Sequence, residues 1–126
     1  MRGQRLFIRP IESDDRETIA AFLRAEGAEH SVPACGLLGK IVGDLVAVVL
    51  FEIAPDAVRV QQLVVKGEFR RKRIGRFMLE ELDRFARKMD RDRLVIVSAD
   101  RAREFLRHVG FVETADGADG MVRMVK

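Results

Sequence analysis

Three consecutive apolar runs, all rich in β-branched residues, constrain the fold of this chain more than any other feature. They cover residues 36–42, 45–53 and 57–65, and only the short segments Gly43-Asp44 and Ala54-Pro55-Asp56 separate them. Such runs, bounded by turn residues, are typical of strands, and a two-residue gap that contains glycine is typical of a hairpin. The sequence therefore predicts a meander of three antiparallel strands.

The spacing of the apolar residues changes after the third run. Apolar side chains then recur every three or four positions, as on the buried face of a helix: Ile74, Phe77, Met78, Leu82, Phe85 and Met89. Two acid-before-base pairs, Glu80 with Arg84 and Asp83 with Arg87, are expected on the exposed face. This segment is thus predicted to form a long amphipathic helix.

The remaining segments predict shorter elements on both sides of this core. In chain order they are a strand at 6–9, a helix from about 15 to 26 with Asp14 and Glu17 as its capping box, a buried central strand at 94–97, a helix at 102–109 closed by Gly110, and strands at 111–113 and 121–125 with a turn at 116–120. We therefore predict one α+β domain, residues 1–126, with a central mixed, mostly antiparallel sheet of about seven strands and about three helices.

Composition argues against several classes of protein. The single cysteine, Cys35, cannot form an internal disulfide, and with only His30 and His108 beside it the ligands of a closed structural zinc site are too few. There is no apolar run of bilayer-spanning length and no signal-peptide pattern, so we expect a cytoplasmic protein without a membrane partner. The net charge of +3 is small and Trp and Tyr are absent, so no nucleic-acid partner is expected.

The segment 70–76 concentrates charge between the third strand and the long helix. Five of its seven residues are cationic, and the other two are Ile74 and Gly75. One interpretation is an ordinary solvated helix start. The other is an anion-binding turn, because the first N–H groups of a helix lack internal partners, the helix dipole is positive there, and glycine lets backbone donors approach closely.

Residues 63–79 resemble the coenzyme A motif of the GNAT superfamily of acyltransferases. In that motif a valine-ended strand and a turn precede arginine or glutamine, two variable residues, glycine, one variable residue, and glycine or alanine. Arg70 and Gly75 match the ends of this pattern, whereas Arg73 stands where the first glycine is usual. The opening Ile8-Arg9-Pro10 with Asp14-Asp15 is similar to the first signature of the family, and the stretch from Ala102 through Phe105 to Gly110-Phe111 is similar to the last.

The resemblance implies a GNAT-like fold that uses acetyl-coenzyme A as cosubstrate and transfers the acetyl group to a primary amine of a small molecule or amino acid, with a peptide amine as a further option. The backbone of Leu63, Val64 and Val65 would pair with the pantetheine arm. The pyrophosphate would be held by Arg70, Arg71, Lys72, Arg73, Ile74, Gly75 and Arg76. The amine would approach between splayed strands near Val65 and Val97, and a homodimer is a possible assembly.

Arg73 is the main departure inside the motif. The expected phosphate donors are main-chain groups, so a side chain is tolerated there unless the turn requires a positive φ, which would cost about 1–2 kcal/mol. One charge-assisted contact to phosphate, worth about 1.5–3 kcal/mol, can offset that strain. We therefore predict that cofactor binding is retained.

The chemical step has no evident acid. Leu106 occupies the position where many GNAT enzymes have a tyrosine, and Ala99 aligns with a frequent asparagine. Glu52, Ser98 and His108 are candidate acids or bases, but each also fits an ordinary role, as a solvated strand end, a helix cap and an outward helix position. Two alternatives to an acetyltransferase follow: a coenzyme A-binding module without catalysis, and a nucleic-acid binder that uses residues 70–76.

Overall fold

The computed structural model describes residues 5–28, 30–70, 73–97, 102–114 and 120–126. Its regular elements, in chain order, are β1 (Leu6–Pro10), α1 (Arg16–Ala25), β2 (Cys35–Ile41), β3 (Asp44–Ile53), β4 (Val58–Val65), α2 (Ile74–Lys88), β5 (Arg93–Ile96), α3 (Arg103–His108), β6 (Val112–Glu113) and β7 (Met121–Met124). Short 3₁₀ turns at Ser13–Asp15 and Gly67–Phe69 precede α1 and α2. Within these residues, none of the helices is long and apolar enough to cross a membrane.

All of these strands join one mixed sheet in the order β1-β2-β3-β4-β5-β7-β6. Only the contact between β4 and β5 is parallel, and the other five are antiparallel. The predicted seven-stranded α+β architecture is confirmed, with β5 in the interior of the sheet as expected. Residues 116–119 of the predicted turn at 116–120 lie outside the described residues.

The hairpin between β2 and β3 turns one residue earlier than predicted. Its central residues are Val42 and Gly43, with φ of 50° and 81°, and Asp44 already belongs to β3. A positive φ at both positions gives the backbone twist that two-residue hairpins prefer. The predicted meander of β2, β3 and β4 is confirmed, although a non-glycine residue occupies one of the two left-handed positions.

Helices cover both faces of the sheet because successive side chains of a strand point to opposite faces. On one face, Ile19 and Leu23 of α1 pack against Val48 and Leu50 of β3. On the other, buried side chains of α2 and α3 pack against Val49, Phe51, Val60 and Leu94, among others. Two apolar cores on opposite faces therefore fix the position of the sheet between its helices.

The buried face of α2 is rotated from the predicted one. Its buried residues are Ile74, Met78, Leu79, Leu82, Asp83 and Ala86. With about 100° per residue, Phe77 lies on the far side from Leu82, and 44% of it is exposed. Both predicted acid–base pairs are wrong: Arg84 pairs with Glu81, and Asp83 is buried against Arg123 of β7.

The predicted capping box of α1 is also wrong. The helix begins at Arg16, and the preceding 3₁₀ turn shifts the start of helical backbone toward the N-terminus. The box forms there instead, with the Glu12 N–H donating to Asp15 Oδ2 at 2.7 Å. Asp15 also accepts two bonds from the Arg9 guanidinium, at 2.8 and 2.9 Å. Together these bonds lower the pKa of Asp15 to about 2, with the Arg9 bonds as the largest cause.

Candidate functional site

The pairing of β4 with β5 stops partway along β4. The two strands are in parallel register from Val58 with Leu94 to Val60 with Ile96. The last bond between them runs from the Val97 N–H to the Val60 C=O, at 3.0 Å. Beyond Val60, β4 has no partner strand on this side among the described residues.

A β-bulge accounts for this divergence. Leu50 of β3 pairs with Gln62, and Phe51 pairs with Val60, so Gln61 is an extra residue in β4. A bulge bends its strand and increases the local twist. β4 consequently leaves β5 at the bulge, as the predicted splayed pair of strands requires.

The open edge of β4 carries the backbone groups of alternate residues. Lys66 faces β3, because its N–H donates to the Val46 C=O at 2.7 Å. The backbone N–H and C=O groups of successive residues alternate in direction along a strand. Those of Val64 therefore also point to β3, whereas those of Leu63 and Val65 point to the open edge. This edge therefore presents the N–H and C=O of two residues in the arrangement that an additional strand would use.

A cavity of about 420 Å³ follows this edge to the first turn of α2. It is lined by residues from four parts of the chain: Glu26 and Ala28 after α1, Leu63, Val64 and Val65 of β4, Phe69, Arg70, Arg73, Ile74 and Gly75 at the start of α2, and Ala102 and Phe105 of the α3 region.

The structure thus brings together Leu63, Val64, Val65, Arg70, Arg73, Ile74 and Gly75 of the predicted set. Arg76 is exposed on α2 and is not part of this lining, and Arg71 and Lys72 lie outside the described residues.

Arg73 is the N-cap of α2 and has φ of 66°, in the left-handed region. A positive φ strains the backbone of a residue other than glycine, at a cost of about 1–2 kcal/mol. The predicted strain at Arg73 is therefore present. Arg73 makes no side-chain capping bond, so the first N–H groups of α2 are left without that partner. The strained turn places these donors and an exposed cation beside the cavity.

Gly75 makes room for the Phe105 side chain of α3 beside the first turn of α2. A Cβ at this position would lie 3.1 Å from Cζ of the Phe105 ring, tighter than ordinary van der Waals contact. The glycine therefore lets Phe105 rest on the first turn of α2 and close one wall of the cavity. Phe105 belongs to the predicted helix signature, but the sequence alone did not assign it to the site.

Glu26 is another lining residue that the sequence did not assign to the site. Its Oε1 accepts a bond from the Gly67 N–H at 3.0 Å and lies 3.5 Å from Nη2 of Arg70. Arg70 also donates from Nε to the Val65 C=O at 3.1 Å. Glu26 ends a plain helical stretch with no motif around it, so no sequence signal identified it.

Of the candidate acids and bases, Glu52 and His108 are not among the residues that line this cavity. Leu106 is 1% exposed and packs in the core of the α2 face. Glu52 is exposed and pairs with Arg59 at 3.6 Å, and His108 is exposed in the last turn of α3. Ser98, like Ala99, lies outside the described residues. Among the described residues, Glu26 is the only carboxylate in the lining, and no group of His, Cys, Asp or Glu is arranged to hold a metal ion.

Solved structures share this fold over nearly the whole chain. The GNAT family N-acetyltransferase YhbS from Escherichia coli, in complex with CoA, has a TM-score of 0.77 at 16% identity, covering 100% of this chain and 84% of that one. The ribosomal-protein-S18-alanine N-acetyltransferase from Escherichia coli has a TM-score of 0.73 at 19% identity, covering 97% and 95%.

A third structure is the N-acetylglutamate synthase from Neisseria gonorrhoeae complexed with coenzyme A and L-arginine. Its TM-score is 0.80 at 18% identity, and the similarity covers 95% of this chain but 33% of that longer one. At these identities the likeness establishes the fold. No curated protein matches the chain at a significant level of sequence similarity.

The family is established by the sequence itself. The profile of the acetyltransferase (GNAT) domain matches residues 20–113, which include the second part of α1, the meander, the whole described lining of the cavity and α3. The predicted resemblance is confirmed, and the chain belongs to the GNAT acetyltransferase family.

Proposed function

We propose that residues 1–126 form one acyltransferase domain that moves an acetyl group from acetyl-coenzyme A to the primary amine of a small molecule or amino acid. One observation supports this most strongly. A single cavity joins an open strand edge, Leu63 to Val65, to the uncapped first turn of a long helix at Arg73. Few ligands need both an extended hydrogen-bonding edge and an anion site.

The residues present fit acetyl-coenzyme A, which as a cosubstrate also fits the family. Leu63 and Val65 offer the donors and acceptors that the amides of a pantetheine arm require. The first N–H groups of α2, with Arg70 and Arg73, suit a pyrophosphate. Arg71, Lys72 and Arg76 belong to the same proposed anion site, and Val64 contributes to the wall of the cavity.

When bound, the cosubstrate supplies an acetyl group activated as a thioester. The contribution of the chain is to hold and orient the reactants, which can supply about 7–11 kcal/mol of the barrier. Leu106 has no proton to donate, so the chain offers no acid at that position. A thiol with a pKa near 8.5 leaves as a thiolate more easily than an alcohol would, so this loss is tolerable.

The acceptor is proposed to be an α-amine or another weakly basic amine. The attacking amine must be neutral. An α-amine has a pKa of about 8 and a lysine ε-amine one of about 10.4, so a larger fraction of the α-amine is already neutral at pH 7. A peptide α-amine is a second acceptor class of the same chemistry. The proposal retains a cytoplasmic location without nucleic-acid or membrane partners, and a homodimer as a possible assembly.

The test is acetyl transfer to a mixed pool of amino acids, small amines and short peptides, read by product mass and by release of free thiol. We expect an acetylated product that depends on the protein. Gly75→Leu, which would place a side chain against Phe105 and into the cavity, should abolish it. Ala21→Leu, which adds bulk to the exposed face of α1, should retain it.

A coenzyme A-binding module without catalysis is the second candidate. The burial of Leu106 and the positions of Glu52 and His108 favour it, because none of these residues lines the described cavity. Saturable binding of coenzyme A without turnover of any amine in the pool would favour the module over the enzyme.

A further inference from the structure

The guanidinium of Arg70 covers part of the open edge of β4. Its Nε donates to the Val65 C=O at 3.1 Å. This carbonyl is one of the two that point toward the edge, and the other belongs to Leu63. The edge acceptor nearest to the anion site is therefore already occupied by a side chain of the same protein.

Glu26, which also lines the cavity, fixes this arrangement. Its side chain is only 15% exposed, whereas that of Arg70 is 60% exposed. Glu26 is held by the Gly67 N–H at 3.0 Å, and the same oxygen lies 3.5 Å from Nη2 of Arg70. The carboxylate is thus a fixed partner, and the guanidinium is the group that is free to move.

The two partners of Arg70 are weaker than the ligand it is expected to meet. An ion pair with one largely exposed partner, here Arg70, contributes little, and a neutral carbonyl is a poorer acceptor than phosphate. A phosphate group at the first turn of α2 would therefore compete successfully for the guanidinium. Once the guanidinium has moved to the phosphate, the Val65 C=O can accept a hydrogen bond from a ligand.

We infer that Arg70 and Glu26 form a latch on the open edge of β4, in which Arg70 blocks the Val65 C=O until a phosphate draws the guanidinium away. The inference rests on the proposed function, since it takes the phosphate and the extended arm to belong to coenzyme A. Glu26 is then a positioning residue, and the latch favours ligands that carry both groups over ligands that carry the arm alone.

The test is calorimetry with coenzyme A and its two halves, pantetheine, which has no phosphate, and 3′-phospho-ADP, which has no pantetheine. Removing the latch with Arg70→Ala should raise the affinity for pantetheine by about tenfold, the order expected for one competing hydrogen bond, and lower the affinity for 3′-phospho-ADP. Glu26→Gln keeps an acceptor for Gly67 but loses the charge, and should raise the pantetheine affinity by a smaller factor.

Arg87→Ala is the matched control, because it removes the same charge from an exposed position of α2 outside both the cavity lining and the proposed anion site. It should leave the pantetheine affinity unchanged. If Arg70 instead supports the site without moving, Arg70→Ala will weaken the binding of both pantetheine and 3′-phospho-ADP. That result overturns the latch.

Failure of the latch and failure of the proposed function are distinguishable. Wild-type protein that binds coenzyme A, combined with no gain in pantetheine binding by Arg70→Ala at millimolar ligand, contradicts the latch alone. Absence of coenzyme A binding to the wild type contradicts the proposed function.

Discussion

Two regions of α2 contact arginine in opposite ways. The first turn, at Arg73, is called its open end, and the region around Asp83 is called its closed end. At the start of the helix, Arg73 is exposed, has a left-handed backbone and makes no capping bond. Farther along, Asp83 is buried and meets Arg123 of β7, whose side chain is 7% exposed. The first end is strained and open to a cavity, and the second is closed and paired.

At the closed end, nearly all polar atoms of the buried ion pair between Arg123 and Asp83 have hydrogen-bond partners. Nη2 of Arg123 donates to both oxygens of Asp83 at 2.6 and 2.7 Å, and Nη1 donates to the Val109 C=O at 3.0 Å. The guanidinium also lies 5.0 Å from the centre of the Phe111 ring. Among the described residues, the Arg123 Nε alone is a buried side-chain atom without a partner.

This difference suggests a division of tasks within one helix. A residue in an unfavourable backbone conformation persists only when the surrounding structure determines its position. Burial of Met78 and Leu82, together with the ion pair at Asp83, supplies that constraint. We therefore expect changes at the closed end to alter stability, and changes at the open end to alter ligand binding.

The largest effect is expected from Asp83→Ala. It leaves Arg123 charged and buried without its partner, so the free energy of unfolding should fall by about 3–5 kcal/mol. Chemical denaturation measures this change, with Glu80→Gln, an exposed residue of the same helix, as control. The control should shift stability by about 0.5 kcal/mol or less. Equal effects of the two substitutions would refute the division of tasks.

Next in size is the strain at Arg73. Arg73→Gly should be more stable than Arg73→Ala by about 1 kcal/mol, because alanine retains the cost of a positive φ. The same pair of substitutions at Arg76, which has helical backbone, should give the opposite sign, since glycine is a poor helix former. Denaturation of the four variants compares the sites directly. The same sign at both positions would mean that the turn is not strained.

Gly75→Ala should act mainly on binding. Its Cβ would push the Phe105 ring by a few tenths of an ångström and narrow the cavity, so we expect the dissociation constant for coenzyme A to rise a few-fold, or under about 1 kcal/mol. Combining it with Phe105→Leu, which makes room, should restore part of the affinity. Additive losses in the double variant would show that the contact between Gly75 and Phe105 does not shape the site.

The smallest effect concerns Asp15, outside α2. Its pKa is lowered to about 2, so its pairing with Arg9 stabilises the fold above pH about 4 and is lost as the pH falls through about 2. Arg9 is 42% exposed, which limits the contribution to about 1 kcal/mol or less. The difference in stability between the wild type and Asp15→Asn should be largest at neutral pH and smallest below pH about 2. The exposed neighbour Asp14 provides the control substitution, Asp14→Asn, and a difference independent of pH would contradict this assignment.

Local sequence patterns were sufficient for most of the fold. Strand runs and turn residues located the meander, and the spacing from Ile74 located α2, because these signals depend on neighbours in the chain. The pairing of Asp83 with Arg123 was not predictable in this way. The partners are forty residues apart, and the sequence pattern favoured Arg87, a local partner on an exposed face.

The candidate site was predictable where it depends on the backbone of one segment. The strand edge and the start of α2 are adjacent in sequence, so Val65, Arg73 and Gly75 were identified together. Glu26 and Phe105 reach the cavity only through packing of α1 and α3, and no local pattern records that packing. The family motif leaves φ at position 73 open, and the structure shows that it is left-handed.

Binding of coenzyme A to the wild-type protein, measured by calorimetry, tests the central claim most directly. The open edge of β4 and the first turn of α2 predict saturable binding of one coenzyme A per chain, with a dissociation constant below millimolar, and its loss in Gly75→Leu but not in Ala21→Leu. Absence of binding to the folded wild-type protein at millimolar coenzyme A would contradict the account.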